Sequence, residues 1–259
     1  MKRNLGKWEQ HVVLQQDPFV AKHMPETHLY SDKNLVDLLN RHPSVYVKHD
    51  TTGQGRAIFN IRKSTGGSYY VDGYTIQGTQ IKKNVSVTEI QQLLHPYLRL
   101  GRESGPYIIQ EAIQSYTQNG QPFAIRVHVQ KLNNDWVIGG MLGNIASGPV
   151  TKNGIVNRCR GATLIPISDV LSQTTIGKNQ IDTLKKLEKI AIAAAKTIDS
   201  TFPCREYGID FGINQEGRPI LFEVNTTPGI SGFAQINKDI WKRIVEIRKM
   251  QNESDGTYY

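Results

Sequence analysis

Residues 207–229, YGIDFGINQEGRPILFEVNTTPG, place an aspartate, a glutamate and an asparagine inside an apolar, β-prone stretch. IDFGI and PILFEV are short runs rich in Ile, Phe, Val and Leu, and the NQEGR between them is turn-forming. The segment therefore reads as a β-hairpin. With its loop centred on Glu216-Gly217, Asp210 falls opposite Glu223 to within about one residue of register. Strand alternation puts Glu223 and Asn225 on one face and Phe222 and Val224 on the other. Three oxygen donors then converge on one side of the hairpin. Adjacent carboxylates repel unless a proton or a cation separates them, and hard oxygens suit Mg²⁺, which is usually shared with substrate phosphates. Taken alone, the stretch equally fits a solvated hairpin face carrying ordinary charges.

The remaining composition narrows the choices. A chain of 259 residues suits one or two domains and can bury a proper core. With 38% hydrophobic and 21% charged residues it is ordinary for a soluble globular protein. No run approaches a membrane span, and MKRNLGKWEQHVV lacks an apolar signal core, so a cytoplasmic protein without a membrane partner is expected. Cys159 and Cys204 are too few for a zinc site, and each is expected to be a small buried hydrophobe. The net charge of +8 admits nucleic acid, an anionic surface, or phosphate and carboxylate ligands. The basic residues are scattered and not interleaved with aromatics, which disfavours nucleic acid.

Along the chain, residues 7–23 read as helical, and SDKNLVDLLNRHP as a short amphipathic helix capped by Ser31 or Asp32 and stopped by Pro43. VYVKHD and AIFNI are strands on either side of the loop TTGQGR. STGGSYYVDGYTIQG reads as further antiparallel strands with Asp72-Gly73 as a hairpin turn. VTEIQQLLHPYLRLG contains a helix after Thr88, and PYIIQEAI is a strand. A strand pair follows in FAIRVHVQKLNNDWVIGGMLGNIA, turning at Asn133-Asn134. SGPVTKNGIVNRCRGA is a long irregular piece, and NQIDTLKKLEKIAIAAAKTIDS is the longest helix, with Leu184, Leu187, Ala191, Ala194 and Ile198 at helical spacing. A last amphipathic helix, INKDIWKRIVEIRKM, precedes a frayed tail. This mixture of helices and antiparallel hairpins gives an α+β class in two lobes.

Further residues carry candidate chemistry. Lys48 ends a strand before a loop holding Gly53 and Gly55, whose backbone N–H groups would close over phosphates while Lys48 supplies a point charge. A plain hairpin turn fits the same residues. PYIIQEAI ends in Gln110 and Glu111, placed either as a hinge that meets an adenine edge or as a core strand. Arg126 lies between apolar neighbours of the strand FAIRVHV and shares a face with Ala124 and His128. A buried arginine calls for an anion or carboxylate nearby. NRCRGA adds Asn157, Arg158 and Arg160, which also suit a solvated basic loop. His128 reads as structural.

The order of these segments, with Lys48 and its glycine loop, then QEAI, IRVHV, NRCRGA and D…EVN, resembles the ATP-grasp superfamily. Within it, GKWEQHVVLQQDPFVAKHMPET, VYVKHDTTGQGRAIFNI and YGIDFGI…LFEVNTTPG are similar to the YheC/YheD family of endospore coat-associated proteins, over about residues 6–250. The resemblance implies a bilobed fold gripping ATP between two subdomains. Residues 1–43 would form a reduced N-terminal helical segment, 44–112 the small subdomain with the phosphate lid, 113–250 the large subdomain with the metal site, and 251–259 a disordered tail. Lys48 and, more loosely, Lys7 would contact the nucleotide. Thr52, Gly53, Gln54 and Gly55 would form the lid, and Gln110, Glu111, Ala112 and Ile113 would hold adenine. Asp210, Glu223 and Asn225 would coordinate Mg²⁺, and Arg126, Asn157 and Arg160 would face the transferred phosphoryl group or the acyl substrate. Related ligases carry an aspartate where this chain has Ala124, and a full preceding domain where about 40 residues stand before Lys48.

The implied reaction is ATP-dependent carboxylate–amine ligation through an acyl phosphate, with an acidic small molecule or peptide as carboxylate substrate, an amine acceptor, and a place in spore coat formation. Positioning and electrostatics would supply most of the rate. An ATP-binding coat protein without turnover and a kinase on the same fold remain as alternatives.

Overall fold

The computed structural model describes residues 5–94, 106–146, 153–174 and 179–254. Its named strands form two antiparallel sheets, one after the other along the chain. The first contains β1 (Thr27–Leu29), β2 (Val45–His49), β3 (Ile58–Lys63), β4 (Tyr69–Tyr74), β5 (Gln80–Val85) and β6 (Tyr107–Glu111), in the order β1-β6-β2-β3-β4-β5. Alternation gives this sheet two unlike faces. Val45, Val47, Phe59, Ile61, Val71 and Ile109 bury one face against leucines of α3 (Asp32–Arg41) and Ile90 and Leu94 of α4 (Val87–Leu94). The opposite face is polar. Cross-strand register sets Gln110, Tyr46, Asn60 and Asp72 in a row across four strands, and Lys48 follows two residues beyond Tyr46.

The second sheet contains β7 (Phe123–Leu132), β8 (Asp135–Ala146), β9 (Ala162–Pro166), β10 (Glu206–Ile213) and β11 (Pro219–Asn225), in the order β11-β10-β7-β8-β9. One face packs on α6 (Gln180–Asp199), where Leu187, Ala191, Ala194 and Ile198 are fully buried against Val127, Tyr207 and Phe211. α1 (Lys7–Leu14) and α2 (Pro18–Ala21) complete this layer through Val13, Leu14 and Val20. α5 (Ile167–Ser172) follows β9 directly. α7 (Ser231–Ile236) and α8 (Lys238–Ser254) cover part of the other face, with Phe233 and Ile244 against Leu142.

Several elements differ from their sequence reading. The helix expected over 7–23 breaks at Asp17, whose carboxylate accepts from the N–H groups of Phe19 and Val20 and caps α2, with Pro18 at its first position. Within residues 5–43, α1 and α2 join the core of the second sheet while β1 and α3 join the first. Asp72-Gly73 is no turn. It lies inside β4, and a Cβ on Gly73 would come 2.2 Å from the Ile58 carbonyl, so close strand approach explains that glycine. α8 continues through Ser254, held by Gln251, which donates to the carbonyls of Lys131 and Arg205. The rest of the expected tail, 255–259, lies outside the described residues, as do 95–101 of the expected helix and 147–152 of the irregular piece. Cys159 is exposed, against the core role expected of it, whereas Cys204 is half-buried and packs against the core of the second sheet. Among the described residues, no helix is long and apolar enough to cross a membrane.

Candidate active site

A cavity of about 770 Å³ lies between the polar face of the first sheet and the β7–β10–β11 edge of the second. Its floor on the second sheet is a cross-strand row. Register pairs Arg126 with Asp210 and Asp210 with Glu223, which brings the two carboxylates of the hairpin side by side. Arg126 forks Asp210, with Nε on Oδ1 and Nη2 on Oδ2 at 2.8 Å, and Asn225 Nδ2 donates to the same Oδ2 at 3.1 Å. The carboxylate that a buried Arg126 calls for is therefore Asp210. Gly208 makes this possible, since a Cβ there would sit 2.9 Å from Arg126 Nη1.

A bulge departs from simple alternation here. Phe211 pairs with Leu221, which leaves Phe222 as the extra residue. Instead of sharing a face with Val224, Phe222 turns to the cavity wall, where its ring lies 5.9 Å from Lys48 Nζ. Gly212 leaves the space for it, because a Cβ there would lie 2.3 Å from Phe222 Cζ.

Across the cavity stand two lysines. Lys48 Nζ donates to Gln110 Oε1 at 2.5 Å and lies 5.3 Å from the Tyr46 ring. Burial pushes its ammonium down to about 8, with Lys7 adding to the effect and the Glu223 and Asp210 carboxylates opposing it. Lys7 comes from the first turn of α1. That turn is fixed by Asp50, whose Oδ1 accepts from the Trp8 N–H at 2.7 Å, while Gly6 packs where a Cβ would meet Asp50 Oδ2 at 2.0 Å. Lys7 Nζ donates to the Thr52 carbonyl at 2.6 Å and faces Glu223 Oε1 at 3.4 Å. It thus joins the loop to the hairpin. Beside it, the His49 imidazolium is disfavoured by burial and then by Lys7, with Asp50 opposing.

Thr52, Gly53, Gln54 and Gly55 all line the cavity. Their loop is tight: Gln54, Gly55 and Ala57 have φ of 60°, 65° and 46°, and the Arg56 N–H donates to the Gly53 carbonyl. At the hinge, Gln110, Glu111 and Ile113 line the cavity, whereas Ala112 does not. The backbone N–H groups of Glu111 and Ala112 are bonded to the Glu26 and Ser44 carbonyls, and Gln110 Nε2 to Thr27 Oγ1. Asn157 also lines the cavity, its Oδ1 accepting from the Cys159 N–H. Arg160 turns away from it. Its guanidinium stacks 4.0 Å from the Tyr74 ring and donates to the carbonyls of Gly55 and Gly78, while Arg158 lines the wall instead.

Sequence reasoning missed several lining residues. Tyr46 was open to detection, since it shares a strand face with Lys48 two residues on. Phe222 was hidden by the bulge. Asn144 meets Ala124 across β7 and β8, a register no local pattern reveals. At one end Leu142, Leu164 and Phe233 supply an apolar wall.

Five cationic side chains (Lys7, Lys48, Arg56, Arg126 and Arg158) line the cavity against the carboxylates of Glu111, Asp210 and Glu223, which favours an anionic ligand. The hairpin oxygens fit a hard divalent cation. The Glu223 and Asp210 side chains are 31% and 25% exposed toward the cavity, and Asn225, donating through Nδ2, keeps Oδ1 as an acceptor. Among the described residues, no three His, Cys, Asp or Glu side chains gather to hold a metal by themselves. Two carboxylates and an amide suit an ion that takes its remaining ligands from phosphate and water.

The chain is 25% identical over 243 residues to the endospore coat-associated protein YheD of Bacillus subtilis (strain 168), covering 91% of this chain and 51% of that protein. It thus spans about half the length of this curated relative. Its fold is similar to that of the D-alanine-D-alanine ligase from Coxiella burnetii, with a TM-score of 0.55 and 13% identity over 97% of this chain and 60% of that one. At that identity the likeness concerns the fold, a mixed α and antiparallel-β architecture with two lobes around a cavity. A family model for YheC/D-like ATP-grasp proteins matches residues 2–250, and the chain belongs to that family.

Proposed function

We propose that the protein is an ATP- and Mg²⁺-dependent carboxylate–amine ligase. The observation that carries this reading is the meeting, across one cavity, of Lys7 and Lys48 with the Asp210–Glu223–Asn225 oxygens. Lys48 and Lys7 bind the β- and γ-phosphates beneath the 52–55 lid, and the Gln110–Ile113 strand end receives the adenine. Because the N–H groups of Glu111 and Ala112 serve the protein and the Ile113 carbonyl accepts from the Ser115 N–H, the Ile113 N–H is the hinge donor that would meet the base. Asp210, Glu223 and Asn225 would hold Mg²⁺, which would offset the charge of the phosphates.

In the first step a substrate carboxylate oxygen attacks the γ-phosphorus and ADP leaves. In the second an amine attacks the acyl carbon of the acyl phosphate, inorganic phosphate leaves and the amine loses a proton. Arg126, beside Asp210, and Asn157 face the transferred group and steady its developing charge. The excess of cations in the cavity suits an acidic small molecule or peptide as the carboxylate substrate. The name of the Bacillus subtilis relative supports a place in spore coat formation.

A second reading, nucleotide binding without turnover, is favoured by Ala124 and by the closed Arg126–Asp210 fork, which occupies both partners. A screen of amino acids and short acidic peptides for substrate-dependent ADP release decides between the two. Mass spectrometry of the products separates a new amide from a phosphorylated acceptor, the outcome that a kinase would give. ATP binding without ADP release under any substrate would overturn the ligase reading. ATP affinity is expected to drop when EDTA replaces Mg²⁺, since the hairpin carboxylates would then repel the triphosphate. Equal affinity would remove the metal assignment.

A further inference from the structure

Between β8 and β9, both strands of the second sheet, residues 153–160 cross to the first sheet and are bonded there at both ends. Asn153, 1% exposed, donates from Nδ2 to Asp72 Oδ1 at 3.0 Å, and its carbonyl accepts from Tyr46 Oη at 2.8 Å. Asp72 is itself buried, so the pair satisfies polar atoms that water does not reach. Gly154, at φ +65°, lets the backbone come so close that a Cβ would lie 2.4 Å from Tyr46 Oη. At the far end Arg160 stacks on Tyr74 and donates from Nη1 to the Gly78 carbonyl at 3.1 Å and from Nε to the Gly55 carbonyl at 3.3 Å. These partners all belong to the first sheet or its loops. Between the two anchors, Asn157, Arg158 and Cys159 line the cavity.

We propose that Arg160 is a positioning residue that acts through Gly55. It clasps the 52–55 loop to the 153–160 connection, so that the loop and the Asn157–Cys159 wall are ordered together. This rests on the reading that residues 52–55 cover the nucleotide phosphates. The loop needs such a contact, because Gly53 has open space around it and Gln54 and Ala57 hold left-handed φ values that side chains disfavour. A planar guanidinium can stack on Tyr74 while donating to two carbonyls, which an ammonium cannot do. Coupling of this kind is reciprocal: a ligand that orders the wall tightens the nucleotide site, and nucleotide tightens the wall.

Amide hydrogen exchange of residues 52–57 and 75–79 in the nucleotide-free protein tests the clasp without reference to activity. In Arg160→Lys, and in Tyr74→Leu, which removes the stacking face, exchange in both segments should rise roughly tenfold. Arg158→Gln, at the wall but without a lid contact, should leave it unchanged. With turnover established, Arg160→Lys should raise KM for ATP more than it lowers kcat. Unaltered lid exchange in a folded Arg160→Lys protein would overturn the clasp, as would a fall in kcat at constant KM, which would put Arg160 on the reacting atoms. Absence of ATP binding in every variant would sink the functional reading, while the exchange comparison would still decide the clasp.

Discussion

Lys48 makes the nucleotide site measurable through protons. Burial displaces its ammonium from an ordinary 10.5 to about 8, so near pH 8 half the free protein carries a neutral amine there. A bound triphosphate supplies the negative charge that favours the ammonium, and the complex holds the proton more tightly than the free protein. Each pH unit between the two values is about 1.4 kcal/mol. Full recovery to 10.5 would therefore couple proton and nucleotide by about 3 kcal/mol, and the coupling must act equally on both ligands. The expected result is ATP affinity that is flat below about pH 7 and falls toward tenfold per pH unit above about pH 8. Binding at pH 8 should take up about half a proton. Phosphate ionisation does not interfere, being complete well below this range with its last pKa near about 6. Titration calorimetry with Mg²⁺ and ATP in two buffers of different ionisation enthalpy reads both quantities. Lys48→Arg, charged throughout, is the reference and should show neither the slope nor the uptake. A flat wild-type profile to about pH 9.5, or the same slope in both proteins, would refute the placement of Lys48 against the phosphates. Without nucleotide, the unfolded chain is the form that keeps this proton, so stability should rise as pH climbs from about 8 to 10.5.

Glu223→Gln, nearly isosteric but uncharged, should fold normally and lose most ADP release, whereas Glu216→Gln in the hairpin turn should be silent. Equal effects would deny the hairpin a special face. Arg126→Ala should spare ATP affinity and lower turnover a hundredfold or more, about 3 kcal/mol for a lost contact to developing charge. Parent-like turnover would leave the β7 strand as scaffold only. Away from the cavity, burial alone would raise the Glu206 carboxyl, but hydrogen bonds from His128 and Arg248 hold it down to about 2. Its stabilisation is present above the ordinary 4.5 and is lost as pH falls toward 2. Glu206→Gln should then cost less than about 3 kcal/mol at neutral pH, because it leaves buried His128 and partly exposed Arg248 without an anion and solvent screens the second. Thermal melts should show the gap to wild type closing in acid, and a pH-independent gap would mean that shape, not charge, is at work.

The second sheet was far easier to read in the sequence than the contacts between the lobes. Asp210 and Glu223 could be set opposite each other because a short turn fixes hairpin register locally. α6 announced itself by leucines and alanines at helical spacing, all on the buried face. The failures are physical in kind. Alternation cannot anticipate a bulge, so Phe222 was assigned to the wrong face. Asp72-Gly73 has the composition of a turn, yet the glycine answers to a neighbouring strand that the local sequence does not contain. The family resemblance places Arg160 at the reacting atoms, but its orientation depends on Tyr74 and two carbonyls more than 80 residues away. Ala124 was visible as a departure, while the carboxylate that serves Arg126 in its stead, Asp210, needed the β7–β10 register.

The first helix waits for the β10–β11 hairpin. Lys7 meets Glu223, and Gln10 accepts from the Val224 N–H, across more than 200 positions of sequence. An eight-residue helix has too little intrinsic stability to persist alone in water. At roughly 5–20 residues per second on the ribosome, the segment carrying Lys7 therefore spends tens of seconds without its partners. Val13 and Leu14, later packed in the same core as α6, likewise wait more than 160 residues for that cover. The cavity wall that joins Lys7 to Glu223 thus cannot close on nascent protein until the β10–β11 hairpin has been made.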